Sequence, residues 1–218
     1  FIDLRPLIKL DSMKATMKTL SAILICCFIS TIQMYGENIQ RPESENYVKG
    51  VEALNEGNPE AAYTYLNAEI NEHPDNGYAH CYMALICNFC NDTKLALKAL
   101  NSSLELIPEA DTEYRSFAHY SRGVLLTNLK MWEHAEADLN EAIRLNPEDV
   151  ENYKSRAQLY FETERYEESL DDLTRALKLD SKADVNDLVL QLMAVAPTSE
   201  FMERITATYQ QLDQVTIH

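Results

Sequence analysis

Residues 116–149 read SFAHYSRGVLLTNLKMWEHAEADLNEAIRLNPED, and residues 150–183 read VENYKSRAQLYFETERYEESLDDLTRALKLDSKA. Aligned end to end, these two 34-residue stretches place Gly123 over Ala157, Ala135 over Ser169, Leu139 over Leu173 and Pro147 over Ser181. The same register continues upstream in steps of twelve residues, through Gly50/Ala62/Pro74 and Ala84/Ala96/Pro108. Four units follow, at 43–76, 77–110, 116–149 and 150–183, with Asp111 to Arg115 expected to separate the second from the third. Self-similarity at a short fixed period decides an architecture before any local propensity does.

Within each unit apolar residues recur three or four apart, break near the middle and resume, which predicts two amphipathic helices. Gly57-Asn58-Pro59, Asn91-Asp92, Lys130-Met131 and Glu164-Arg165 mark the expected mid-unit turns. Pro74, Pro108 and Pro147 are placed to end the second helices, because proline lacks the N–H and its ring clashes with the preceding turn. Two antiparallel helices approach closely only where the crossing carries no bulk. Gly50, Ala84, Gly123 and Ala157 meet that need on the first helices, and Ala62, Ala96, Ala135 and Ser169 on the second. Leu66, Leu100, Leu139 and Leu173 share one register and are expected to fill the flanks. A single pair cannot bury its apolar face, so the units are expected to stack on a shared core.

This pattern closely resembles the tetratricopeptide repeat family over residues 43–183. Tyr153, Ala157, Tyr160, Tyr166 and Ala176 carry the resemblance in the fourth unit, and Gly123, Ala135, Ala142 and Pro147 in the third. His80 and His119 stand where that family often has tryptophan, and Glu69 replaces a usual small residue. The resemblance implies an all-α, right-handed α-solenoid of helix-turn-helix repeats. It also implies recognition of a protein or peptide on a concave surface lined by the first helix of each pair. By register that lining comprises Tyr47, Val51, Leu54 and Asn55; Tyr78, Cys81, Leu85, Asn88 and Phe89; Phe117, Tyr120, Val124, Thr127 and Asn128; and Lys154, Gln158, Phe161 and Glu162. Aromatic side chains supply rigid contact area. The amides of Asn55, Asn88 and Asn128 are suited to both donate to and accept from an extended backbone.

Beyond Lys182 the repeat fades. Residues 184–218 are expected to form capping helices: Val185 to Ala196 is apolar on more than one face, Pro197 breaks it, and Thr198-Ser199-Glu200 is placed to cap a last helix. There Phe201, Ile205, Tyr209 and Leu212 form one stripe, with Glu203, Arg204 and Gln210 opposite. The ends of a stacked array need such a lid.

The front end has a different composition. Met13 to Lys18 is short and basic, Leu20 to Ile32 runs without a charge, and Met34-Tyr35-Gly36 precedes the polar Glu37-Asn38. That order reads as a secretory signal over Met13–Gly36, behind an upstream extension, Phe1 to Ser12. Its apolar core is well short of the roughly 20 residues a membrane span needs. Neither Cys26 nor Cys27 follows the small residues a lipoprotein signal carries. The expected product, residues 37–218, is therefore exported, periplasmic or secreted, without a membrane span. Removal of residues 1–36 would delete four of 19 basic and two of 35 acidic residues, moving the net charge from −16 to −18. So acidic a surface disfavours nucleic-acid backbones and anionic lipid.

No catalytic constellation is visible. His73, His80, His119, His134 and His218 are scattered, and Glu167-Glu168 and Asp171-Asp172 read as solvent-facing runs on a second helix. Five glycines leave no phosphate-binding loop. Cys81, Cys87 and Cys90 fall on one predicted helix. His80 and Cys87 lie about 10 Å apart along such a helix, too far to share zinc, so packing is the favoured role. No cofactor or metal is expected. The groove also lacks the basic set that clamps acidic chaperone tails, Lys154 being alone along it. Two function classes remain: an exported adaptor holding a partner segment in its groove, or a structural component of an envelope complex using its ends or convex face. Oligomeric state is not legible.

Overall fold

A computed structural model describes residues 39–196 and 198–215. The expected signal segment lies outside the described residues. Ten helices occupy the described chain: α1 Glu45–Asn55, α2 Pro59–Glu72, α3 Gly77–Phe89, α4 Thr93–Leu106, α5 Thr112–Asn128, α6 Trp132–Leu145, α7 Val150–Glu162, α8 Tyr166–Leu179, α9 Asn186–Val195 and α10 Ser199–Val215. The described residues are all-α, arranged as successive helical pairs of the solenoid-forming kind. It divides into two compact units between Tyr114 and Arg115.

The helix boundaries follow from local chemistry. Each mid-unit turn places one residue in left-handed backbone: Gly57, Asn91, Lys130 and Glu164, at φ 71°, 59°, 58° and 60°. Those four residues hold equivalent places, so the turn is a property of the repeat rather than of glycine. Side chains then start the following helices. The Oδ1 atoms of Asn58 and Asp92 accept from the backbone N–H of Ala61 and Leu95, both at 3.1 Å. Asn76 and Asp149 cap α3 and α7 in the same manner. Such caps satisfy donors that the first helical turn leaves unpaired. Helices α2, α4 and α6 each stop two residues before Pro74, Pro108 and Pro147, and α8 stops in the same register before Ser181.

The small residues lie at the crossings. Ala62, Ala96, Ala135, Ala157 and Ser169 are fully buried, as are Leu66, Leu100, Leu139 and Leu173 beside them. Ser169 keeps the twelve-residue register with a polar atom by donating its Oγ hydrogen to the Ala157 carbonyl at 2.8 Å. A buried hydroxyl is tolerated when so paired.

The five residues between the second and third units, Asp111 to Arg115, lead directly into α5. Asp111 Oδ1 accepts from the Tyr114 N–H at 3.3 Å, and Thr112 to Arg115 are the opening turn of α5. The carboxylate is a start signal, which lengthens the helix upstream of the repeat.

In the second unit, α9 and α10 pack on α8. Leu170, Leu173 and Leu177 share a core with Val185, Leu188, Val189, Leu192, Phe201 and Ile205. Thr198 Oγ1 caps α10 through the Phe201 N–H at 3.1 Å. Arg204 reaches from α10 to Glu167 and Asp171 on α8. The adjoining face of α10, carrying buried Phe201 and Ile205, closes the apolar end of the last repeat.

Candidate functional site

The residues expected to bind a partner separate by exposure. In the N-terminal unit, Asn55 and Asn88 are exposed at the ends of α1 and α3, and Phe89 is half-buried next to Asn88. Tyr47 and Tyr78 are only 7% and 4% exposed. They offer little surface to a partner, because their rings join a buried cluster that the repeat register does not reveal.

Four tyrosines build that cluster. Tyr78 meets Tyr114 edge-on with centroids 4.8 Å apart, and Tyr82 lies 6.1 Å from Tyr47 and 6.2 Å from Tyr114. The hydroxyls of Tyr82 and Tyr114 are 3.0 Å apart, and Tyr47 hydrogen-bonds to Tyr114 as well. Burial pushes the phenols of Tyr47, Tyr82 and Tyr114 above the usual tyrosine range, so they remain neutral. At the margin, the Tyr78 hydroxyl donates to Asp111 Oδ2 at 3.0 Å. Arg41, upstream of α1, closes the arrangement on Asp111 and Glu113. Sequence reasoning missed Arg41, Tyr82, Asp111 and Tyr114. The available signals were the Arg41-Pro42 pair before the first helix and a lone aspartate ahead of a helical run.

In the second unit, Phe117 and Tyr120 stack with centroids 6.3 Å apart, and both are half-buried. The Tyr120 phenol is raised chiefly by burial, against a hydrogen bond to Ser155. Asn128 is exposed. Lys154 is half-buried and donates to Glu151 at 2.8 Å. Phe161 packs on Tyr166 at 5.7 Å and against the C-terminal core. The surface these first helices present therefore comes from amides and aromatic edges.

Charged pairs inside the repeats bear on the catalytic question. Asp172 does not face solvent: it is 6% exposed and accepts two hydrogen bonds from Arg156, both at 2.8 Å. Its neighbours Glu167, Glu168 and Asp171 are exposed. One residue along a helix turns the side chain through about 100°, which is enough to move it from the solvent face to the crossing. Asp138, in the same register one repeat earlier, accepts from Arg122 at 2.7 and 2.8 Å and pairs with His119 Nδ1 at 2.8 Å. These partners engage both oxygens of each carboxylate, so each acts as a clasp between paired helices. Cys81 and Cys87 are buried free thiols, and burial pushes both up to about 12, which suppresses the nucleophilic thiolate.

A family model for the tetratricopeptide repeat matches residues 118–149 and 151–182. Among curated proteins, Tetratricopeptide repeat protein 6 of Homo sapiens is 24% identical over 143 residues, which are 66% of this chain and 26% of that protein. The Lipoprotein NlpI homolog of Haemophilus influenzae is 31% identical over 87 residues, 40% of this chain and 28% of that protein. The chain thus spans about a quarter of the length of the curated relatives it matches. Among solved structures, MamA from Desulfovibrio magneticus RS-1 superposes with a TM-score of 0.63 at 19% identity, over 78% of this chain and 94% of that one. Likeness at that identity concerns the fold.

Proposed function

Because the chain is a tetratricopeptide repeat protein, we propose that it is a non-catalytic adaptor holding an extended segment of a protein partner against its first helices. The repeat is a protein-interaction scaffold. The observation that carries the finer reading lies in the N-terminal unit, where Asn55 and Asn88 are both exposed within one residue of the same repeat position. Each amide carries two donors and an acceptor, the complement of an extended peptide's edge. Half-buried Phe89, next to Asn88, adds apolar area that would lose its remaining water on binding.

The test compares capture by wild type with capture by an Asn55→Ala, Asn88→Ala, Phe89→Ala variant. Tyr47 and Tyr78 stay intact, since truncating either would empty the core. A partner retained by wild type and lost by a variant with an unchanged circular dichroism spectrum supports the reading; equal retention overturns it. Export belongs to the same proposal, supported by the basic-then-apolar order of Met13 to Gly36 and by the lipoprotein among the relatives. Fractionation of expressing cells checks it, and full-length chain confined to the cytoplasm would refute it. A second reading, assembly through the turn edge, is favoured by Leu129 and Met131, which are 44% and 43% exposed on either side of the Lys130 turn. Loss of co-assembly on Leu129→Ser with Met131→Ser would select it.

A further inference from the structure

Arg41 lies outside the repeat register, yet its guanidinium is held as a ligand would be. Nε and Nη2 donate to the two carboxylate oxygens of Asp111 at 3.0 and 3.1 Å, and Nη2 donates to Glu113 at 2.9 Å. Its guanidinium carbon stands 4.6 Å from the centroid of the Tyr114 ring. The Tyr78 hydroxyl fixes the Asp111 carboxylate at 3.0 Å. Asp111 is 1% exposed, so this receptor is buried within the N-terminal unit, while the arginine keeps a quarter of its surface. A forked carboxylate contact, a second carboxylate and an aromatic face together select a planar guanidinium over a lysine ammonium.

The bearer of this arginine is a non-helical strap. Residues 39–44 contain no helix, and the residue before a proline is biased to extended backbone, here Arg41 before Pro42. Gln40 and Glu43 on either side of the pair are exposed. A non-helical segment with one deeply seated side chain is also what a bound peptide would present. Tyr78 comes from α3, Asp111 immediately precedes α5, and Glu113 and Tyr114 lie in its first turn; these are helices to which the adaptor reading assigns recognition.

We propose that Tyr78, Asp111, Glu113 and Tyr114 form an arginine-binding pocket that Arg41 fills in cis, and that the partner's segment places an arginine there on displacing the strap. This deepens the adaptor reading and rests on it. A tethered occupant competes at an effective concentration in the millimolar range, so apparent affinity for the partner falls by the fraction of chains whose pocket is open.

The probe is a fluorescent peptide with the sequence of residues 39–46, titrated by anisotropy against the full chain and its Arg41→Ala variant. Arg41→Ala is expected to bind it at least about 10-fold more tightly than wild type. The Arg41→Lys form of the peptide is expected to bind at least about 10-fold more weakly. Adding Asp111→Asn to Arg41→Ala should abolish binding. Because Asp111 also caps α5, Glu113→Gln provides a second variant, with partial loss expected. No binding by a folded Arg41→Ala chain, equal affinity in wild type and variant, or equal affinity for the lysine peptide each overturns the proposal. The adaptor reading is scored separately by the Asn55/Asn88/Phe89 variant. If partner capture depends on those residues while the peptide fails to bind, the pocket falls and the adaptor stands. If the peptide binds while capture ignores those residues, the adaptor reading falls on its own terms.

Discussion

A Cβ atom on Gly50 would stand 2.7 Å from Leu66 Cγ, and one on Gly123 would stand 2.8 Å from Leu139 Cγ. Both leucines are fully buried, so neither can swing away without opening its helix pair. Gly50→Ala and Gly123→Ala are therefore expected to lower stability by about 1–3 kcal/mol through overpacking, against a helix-propensity gain of only about 1 kcal/mol. Urea unfolding would measure this. In contrast, Ala84→Gly and Ala157→Gly, at crossings that already accept a methyl, should lose about 1 kcal/mol from propensity alone. The turn position makes the opposite case. Lys130 and Glu164 hold left-handed backbone at φ 58° and 60°, where an L side chain costs roughly 1–2 kcal/mol and glycine costs little. After the entropy of a freer unfolded chain is subtracted, Lys130→Gly or Glu164→Gly should stabilise by about 0.5–1 kcal/mol, read as a raised melting temperature.

The helix pairs differ in the clasp that joins them at one shared position. The first pair uses Lys49 over the Tyr65 ring at 5.7 Å, the second has Met83 and Ala99 in that register, and the third and fourth use Arg122–Asp138 and Arg156–Asp172. The two ion pairs are alike in geometry and opposite in titration. Burial acts against the Asp138 charge, but hydrogen bonds from Arg122 and His119 outweigh it and hold the carboxyl below its usual value. At Asp172 burial wins over Arg156, with Asp171 adding repulsion, and the carboxyl sits above its usual value. The stability that Asp138 contributes is thus present above the unfolded pKa of about 4 and lost as pH falls through its lower folded value. The Asp172 contribution has the reverse sign: it is full below about pH 4 and declines as pH rises through the folded value. Asp138→Asn should therefore cost about 1–3 kcal/mol at pH 7 and flatten the acid limb of a stability–pH profile. Asp172→Asn should cost less at pH 7 and steepen that limb. Identical profiles for the two variants would remove the distinction.

Over the whole molecule, the repeat was readable because its determinants are local and periodic. Small residues twelve apart mark the crossings, and the left-handed position recurs whether it holds Gly57, Asn91, Lys130 or Glu164. What was not readable depends on pairs far apart in sequence. Arg41 meets Asp111 across 70 positions, and nothing near either residue announces the other. Tyr47 and Tyr78 occupy lining positions by register, yet their rings turn inward because Tyr82 and Tyr114 offer them partners. Asp172 looked like part of a solvated run because its partner Arg156 lies on the other helix of its pair. The C-terminal helices were legible as a stripe, and Phe201 is its buried anchor at 1% exposure. In a stacked array stability is close to a sum of nearest-neighbour terms. Phe201→Ala, expected to cost about 3–5 kcal/mol, should therefore act locally. Hydrogen exchange followed by mass spectrometry should register its largest loss of protection in α8, α9 and α10, with α1 to α4 changed least. A uniform loss across all ten helices would instead make the chain a single cooperative block, and would overturn the nearest-neighbour description.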